Sequence, residues 1–285
     1  MIAPHGGTVW LGGFIRLVEP LGLNPRMVRT AVFRLSREKW LVSEQIGRRS
    51  FYSLTPTGKR RFEAAFQRIY EDARAPWNGE WRIVILPADG PSPPAREALR
   101  KELLWQGFGV IAPGVFAHPS GDTESLVELL QNAGAHDKAV VLKAETLGAL
   151  SARPLKALVD ECWSLDRIAG EYQAFVELFR PVARILRSAS APEPEQCFVV
   201  RTLLMHEFRR VQLRDPQLPQ SLLPQDWPGD VARALCRDIY RLCWGGVESH
   251  LMKMLETADG PLPRAAGSYQ WRFGGVGAPA AEDAA

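Results

Sequence analysis

The chain has 285 residues, 46% of them hydrophobic and 24% charged, a globular composition long enough for two or three domains, which excludes collagenous, coiled-coil and strongly disordered classes. The longest apolar runs, "AVVL" at 139–142 and "RIVIL" at 82–86, are too short to cross a bilayer, and the first residues lack the basic and apolar regions of a signal peptide, so a cytoplasmic location and no membrane partner are expected. The net charge of +3 is unevenly spread: residues 1–75 hold 13 Lys and Arg against 6 Asp and Glu, a net of +7, while the remainder carries −4. The four cysteines, Cys162, Cys197, Cys236 and Cys243, form no C-x-x-C pair, so buried thiols are expected in place of a zinc ribbon or redox motif.

From Val9 to Val18, Trp10, Leu11, Phe14, Leu17 and Val18 recur at helical spacing, and Glu19-Pro20 ends that short amphipathic helix. Gly22 then supplies a turn, Asn24 is a good N-cap and Pro25 suits the first position of a second helix. Val28, Ala31, Val32 and Leu35 form its core-facing stripe, which turns Arg26, Arg29, Thr30, Phe33 and Arg37 outward with Arg34 flanking. "WLVSEQI" and "SFYSLT" read as strands joined by the Gly47-Arg48-Arg49 turn, and "TPTGKRRFEAAFQRIY" starts a further helix. Taken alone, Arg48 and Arg49 at an exposed hairpin tip serve solubility as well as binding. In the order helix, turn, helix and hairpin they predict a winged helix-turn-helix that binds duplex DNA. Arginine on a helix in the major groove bonds guanine bidentately, and arginine at a wing tip enters the minor groove or grips phosphate.

The segment from "GGTVWLGGFIRLVEPLGLNPRMVRTAVFRLSREKW" through "GRRSFYSLT" to "RRFEAAFQRIY" closely resembles the N-terminal region of the PaaX family, bacterial repressors of phenylacetic acid degradation operons, and the likeness continues to about residue 255. The resemblance implies that the helix from Pro25 reads DNA and that Arg48 and Arg49 lie on the wing. Members of that family usually carry a further helix before the "IAPHGG" segment. The first helix of the domain, over residues 1–75, is therefore expected to be missing, leaving the apolar side of the Trp10 helix partly uncovered.

Residues 76–155 alternate: "WRIVILP" reads as a strand, "PPAREALRKELLWQGF" as a helix, "GVIAPGVFAHP" as one or two strands, "TESLVELLQNAGA" as a helix and "KAVVLKAE" as a strand. This predicts a small α+β sandwich that serves as spacer and dimer surface. In the PaaX family the segment resembles the ferredoxin-like fold of small CRISPR-associated nucleases, which raises a metal-dependent nuclease as the alternative function. Asp89 follows the first strand near the place of an acidic metal ligand there. A single carboxylate does not build such a site unless a symmetric dimer contributes a second, and Asp89-Gly90-Pro91 reads as turn chemistry in preference to a metal ligand.

Residues 156–256 are expected to form a mainly helical effector domain, with Leu165, Ile168, Tyr172, Phe175 and Phe179 on one stripe and a long helix over "EQCFVVRTLLMHEFRRVQL" broken by Asp215-Pro216. The connection "LPQSLLPQDWPG" is too apolar for a free linker. His206-Glu207 begins like a helical H-E-x-x-H zinc motif, but Arg210 holds the second histidine's place, and no metal site is predicted. Nucleophile motifs of the G-x-S-x-G type are absent. Arg201, Arg209, Arg210 and Arg214 suit the phosphates of a coenzyme A thioester, or face a partner subunit, but ion pairs with local acids such as Glu207 and Asp215 are the better single reading. Trp163, Tyr172, His206 and Phe208 suit an aromatic acyl group, although aromatics at helical spacing more often form a core. The tail 257–285, ending "GGVGAPAAEDAA", is expected to be flexible.

The fold class is thus α+β and multidomain: a winged helix-turn-helix, a ferredoxin-like middle domain and a helical C-terminal domain. The expected function is a non-enzymatic, homodimeric repressor that binds double-stranded operator DNA and takes no cofactor or metal. The resemblance implies phenylacetyl-CoA as the effector that releases it. Besides the nuclease, an interaction module whose basic hairpin contacts acidic protein is the other rival.

Overall fold

The computed structural model describes residues 2–70, 76–87, 90–119, 123–147 and 155–275. The chain divides into two compact units, one spanning Met1–Asp72, Glu177–Phe208 and Arg233–Ala285, the other Ala73–Val176 and Arg209–Ala232. Both helices and antiparallel sheets contribute, as an α+β chain requires. The range 156–256, expected as one helical domain, is therefore shared between the two units. Its helices α7 (Leu165–Ser188) and α8 (Pro194–Gln212) have 24 and 19 residues, long enough for their two ends to pack in different cores.

In the first unit, β1 (Val9–Trp10) leads into α1 (Leu11–Val18) and α2 (Pro25–Arg37). Next come β2 (Leu41–Ile46), β3 (Arg49–Leu54) and α3 (Pro56–Tyr70). The sheet order is β1-β3-β2, all antiparallel, with Leu41 opposite Leu54 and Ile46 opposite Arg49 across the hairpin. Gly47 makes the turn at φ 60°, where a Cβ would be strained. Val18, Val28 and Val32 are buried together, with Phe14, Leu21, Leu41 and Tyr52 packed around them.

The far side of α1, expected to be partly uncovered, is covered by α10 (Trp244–Met254). The contact is close because residue 13 is glycine: a Cβ there would come within 3.2 Å of the Met254 carbonyl oxygen. The expectation of a flexible tail is corrected as far as residue 275. β8 (Glu256–Thr257) and β9 (Gly260–Pro261) pair antiparallel, and a 3-10 segment runs over Gly267–Gly274. Leu262, Tyr269 and Phe273 are buried. The buried His5 bonds the Pro263 carbonyl through Nδ1 at 2.8 Å, and the Ala266 N–H donates to the Pro4 carbonyl at 2.9 Å. Aromatic anchors inside a Gly/Ala/Pro-rich stretch outweigh its composition, because each buries more apolar surface than the small residues around it.

In the second unit β4 (Glu80–Ile85), α4 (Pro93–Trp105), β5 (Gly109–Ala112), β6 (Val115–His118), α5 (Thr123–Asn132) and β7 (Val140–Glu145) follow in that order. The sheet is antiparallel with strand order β5-β6-β4-β7, the split β-α-β of a ferredoxin-like sandwich. Val84, Leu99, Leu103, Phe116, Leu126 and Leu130 fill the layer between helices and sheet. α6 (Leu155–Trp163) packs against β5, and the buried Trp163 Nε1 donates to the Gly107 carbonyl at 2.8 Å. Leu218, Leu222, Leu223 and Trp227 of the Pro-rich connection are buried, so it is part of the core and not a linker. α9 (Pro228–Leu242) follows, its residues from Arg233 onward belonging to the first unit.

Candidate nucleic-acid interface

Local chemistry sets α2 where the sequence predicts it. The Asn24 side chain accepts the Met27 N–H at 2.9 Å, satisfying a donor that the first turn leaves open, and Pro25 follows at the first helical position. α2 buries Val28 and Val32; Leu35 is half-buried, and Ala31, expected inward, is exposed. Arg26, Arg29, Thr30, Phe33, Arg34 and Arg37 are all exposed. Phe33 is 63% exposed and Met27 51%, so apolar groups stand among the arginines. The Thr30 hydroxyl donates to the Arg26 carbonyl at 2.9 Å. Arg34 lies 3.9 Å from Glu38 in a loose, solvated pair. Among the described residues, Arg26, Arg29 and Arg37 have no ion-pair partner, so the outward face of α2 presents three uncommitted guanidinium groups.

The hairpin tip divides its two arginines. Arg48 is exposed, and among the described residues it has no ion-pair partner. Arg49 is held: its Nη1 donates to Glu256 Oε1 at 2.7 Å and its guanidinium lies 4.5 Å from the Trp10 ring centroid. Neither Glu256 nor Trp10 is signalled as a partner by the sequence, since the ion pair spans 207 positions.

The residues expected to form an effector site lie in both units. In the first, Arg201 is fully buried with its Nη2 donating to the Tyr269 hydroxyl at 2.8 Å, while His206 is exposed beside Glu207 at 4.0 Å. In the second, the buried Tyr172 hydroxyl lies 2.6 Å from Asp215 Oδ2 and 2.9 Å from Gln212 Oε1, so it is committed to polar partners of its own core. Arg214 Nη2 pairs with Glu171 Oε2 at 2.9 Å, and Arg209 and Arg210 are exposed. Trp163 is tied to Gly107 as described.

Asp89, the acidic residue weighed for a nuclease, lies outside the described residues. Among the described residues no group of three or more His, Cys, Asp or Glu side chains is placed to hold a metal, and no helix is long and apolar enough to cross a membrane. Cys197, Cys236 and Cys243 are buried free thiols, and burial pushes the Cys243 thiol up to about 12.

Three family models match the chain: the PaaX-like protein at residues 1–58, the PaaX protein central Cas2-like domain at 74–155 and the PaaX-like protein C-terminal domain at 163–253. The transcriptional repressor PaaX of Escherichia coli (strain K12) is 40% identical over 276 residues, covering 96% of this chain and 87% of that protein. Among solved structures, the uncharacterized protein Rv0674 from Mycobacterium tuberculosis matches with a TM-score of 0.54 at 24% identity, over 84% of this chain and 90% of that one, a likeness of fold. With its three regions matched in order and a relative aligned along almost its whole length, the chain belongs to the PaaX family.

Proposed function

We propose that the chain is a transcriptional repressor of a phenylacetate catabolic operon. In this reading α1, α2, the β2–β3 hairpin and α3 act as a winged helix-turn-helix, with α2 in the major groove and Arg48 at the wing tip. The observation that carries it is the outward face of α2, where Arg26, Arg29 and Arg37 stand exposed without an ion-pair partner among the described residues, on a helix fixed from behind by Val28 and Val32. Arginines left without local acids suit the phosphates and guanine edges of duplex DNA, and the exposed Phe33 suits a thymine methyl. Membership of the family and the repressor name of the Escherichia coli relative support the same reading.

A repressor of this kind reads an inverted repeat as a homodimer, with two recognition helices about 34 Å apart or a multiple of it. The edge strand β7 suits dimer formation, since it exposes Val140, Val141 and Leu142 in a row. Release by an aryl-CoA thioester, phenylacetyl-CoA, requires that the effector bind more tightly to a conformation whose two α2 helices no longer fit both half-sites.

A gel shift on the protein's own upstream region, titrated with phenylacetyl-CoA and with free phenylacetate, tests the reading. A retarded band that the thioester alone dissolves is expected. Absence of any retarded band would sink the repressor assignment.

A further inference from the structure

Within the first unit a cavity of about 830 Å³ lies between α3, the end of β3, the first turn of the chain and the C-terminal segment around Tyr269. Its size is that of a small-molecule site. Phe66 and Tyr70 of α3 form one aromatic wall, Tyr269 and Arg272 come from the opposite segment, and Lys59 and Glu63 are exposed at the mouth.

Arg272 marks this cavity as more than a packing defect. The residue is only 3% exposed, and its guanidinium lies 4.1 Å from the Tyr269 ring centroid, 4.4 Å from that of Tyr70 and 4.8 Å from that of Phe66. Nη1 donates to the Tyr240 hydroxyl at 3.2 Å, whereas Nε is enclosed with no acceptor. Among the described residues Nη2 has no hydrogen-bond partner, and Arg272 lines the cavity. Arg201 stands behind Tyr269 in the same condition, fully buried with Nε and Nη1 lacking acceptors. Among the described residues no carboxylate pairs with either arginine. Burial also pushes the ionisation of Tyr269 upward, so its hydroxyl stays neutral and is no counter-ion. A buried cation without a counter-ion is unfavourable, and Arg272 on the cavity wall, with Arg201 behind Tyr269, calls for an anion from outside.

We propose that this cavity is the binding site for a ligand bearing an aromatic ring and an anionic group, the anion on Arg272 and the ring against Phe66 and Tyr70. Glu63 disfavours negative charge at its side of the mouth, which directs the anionic group inward. The proposal rests on the reading of the chain as a ligand-released repressor, and it locates the release signal. α3 follows the hairpin directly, so a ligand seated between α3 and the C-terminal segment acts on the element adjoining the wing. Its differential affinity for two positions of α3 is what changes DNA affinity.

Isothermal titration of the full chain with phenylacetyl-CoA and, separately, phenylacetate tests the site in the wild type and in Ala266→Trp and Arg272→Met. Ala266 is an exposed wall residue, so a tryptophan there fills the cavity without entering the core. Expected is an affinity loss of at least about tenfold in both variants, which is the removal of about one charged or stacking contact, with ligand-free operator binding unchanged in Ala266→Trp. Should Arg272→Met unfold the protein, Ala266→Trp carries the test by itself. An Ala266→Trp variant that binds both compounds like the wild type overturns the cavity, as does a wild type that binds neither. If the thioester releases operator DNA from Ala266→Trp and wild type alike, the repressor reading stands and the cavity falls. If only phenylacetate binds, and Ala266→Trp abolishes it, the cavity stands and the thioester reading falls.

Discussion

Arg49 at the hairpin tip and Glu256 in β8 face each other across 207 residues of sequence, with Nη1 2.7 Å from Oε1. Trp10 stacks on the same guanidinium, so the hairpin arginine is tied both to the strand that precedes α1 and to the C-terminal segment. A half-exposed pair of this kind contributes at most about 1 kcal/mol. Replacing Glu256 by Gln is therefore expected to free Arg49 for phosphate, tightening binding to random duplex DNA by roughly two- to fivefold and steepening the salt dependence by about 0.9 in slope. Fluorescence anisotropy over a salt series reads both, and an unchanged slope would mean that Arg49 stays away from DNA.

Arg29 is exposed on α2, and among the described residues no acid pairs with it. If it reads a base, Arg29→Ala weakens operator binding by about 1 to 3 kcal/mol and leaves random DNA less affected. Equal weakening on both sequences would identify a phosphate contact. Competition binding with the two duplexes distinguishes the cases.

Asn24→Ala removes the side chain that caps α2 and costs about 1 kcal/mol of stability. Since α2 is anchored by only two buried valines, the loss should appear first as fraying of its N-terminal turn. Amide hydrogen exchange is expected to quicken at Met27 and Val28, with the DNA-binding salt slope unchanged. An altered slope would show that Asn24 contacts phosphate itself.

Elements set by short-range chemistry were legible in the sequence. Asn24-Pro25 marks the start of α2, Gly47 marks the hairpin, and alternating patterns in 76–155 mark the elements of the middle sandwich, with "GVIAPGVFAHP", which reads as one or two strands, forming β5 and β6. What escaped depends on contacts between distant segments. Nothing in the sequence pattern singles out Gly13, whose missing side chain admits the Met254 carbonyl. The cluster Arg201, His206, Arg209, Arg210 and Arg214 looks continuous along α8 and just beyond, but helical geometry turns Arg201 into the core and His206 outward. Tyr269 and Arg272 lay in a stretch whose small residues suggested disorder, and their partners are supplied by α3 and α8.

His250 is expected to make the protein's stability sensitive to mild acid. It is 6% exposed, packs on Phe198 with ring centroids 5.3 Å apart, and its Nε2 has no hydrogen-bond acceptor. Burial lowers its pKa below 6.5; Glu195 and Glu193 pull upward and Lys253 adds to the lowering, with burial the largest effect. Because the folded state binds this proton less tightly than the unfolded chain, the unfolded state takes up more protons as pH falls below 6.5. Stability attributable to His250 is therefore complete above 6.5 and declines as pH falls from there towards the folded-state pKa. Urea unfolding at pH 7.5 and 5.5 should show a larger acid-induced loss in the wild type than in His250→Leu, which has no proton to bind at this position. Identical losses in the two proteins would mean that His250 is already protonated in the folded state, with Glu193 and Glu195 outweighing its burial.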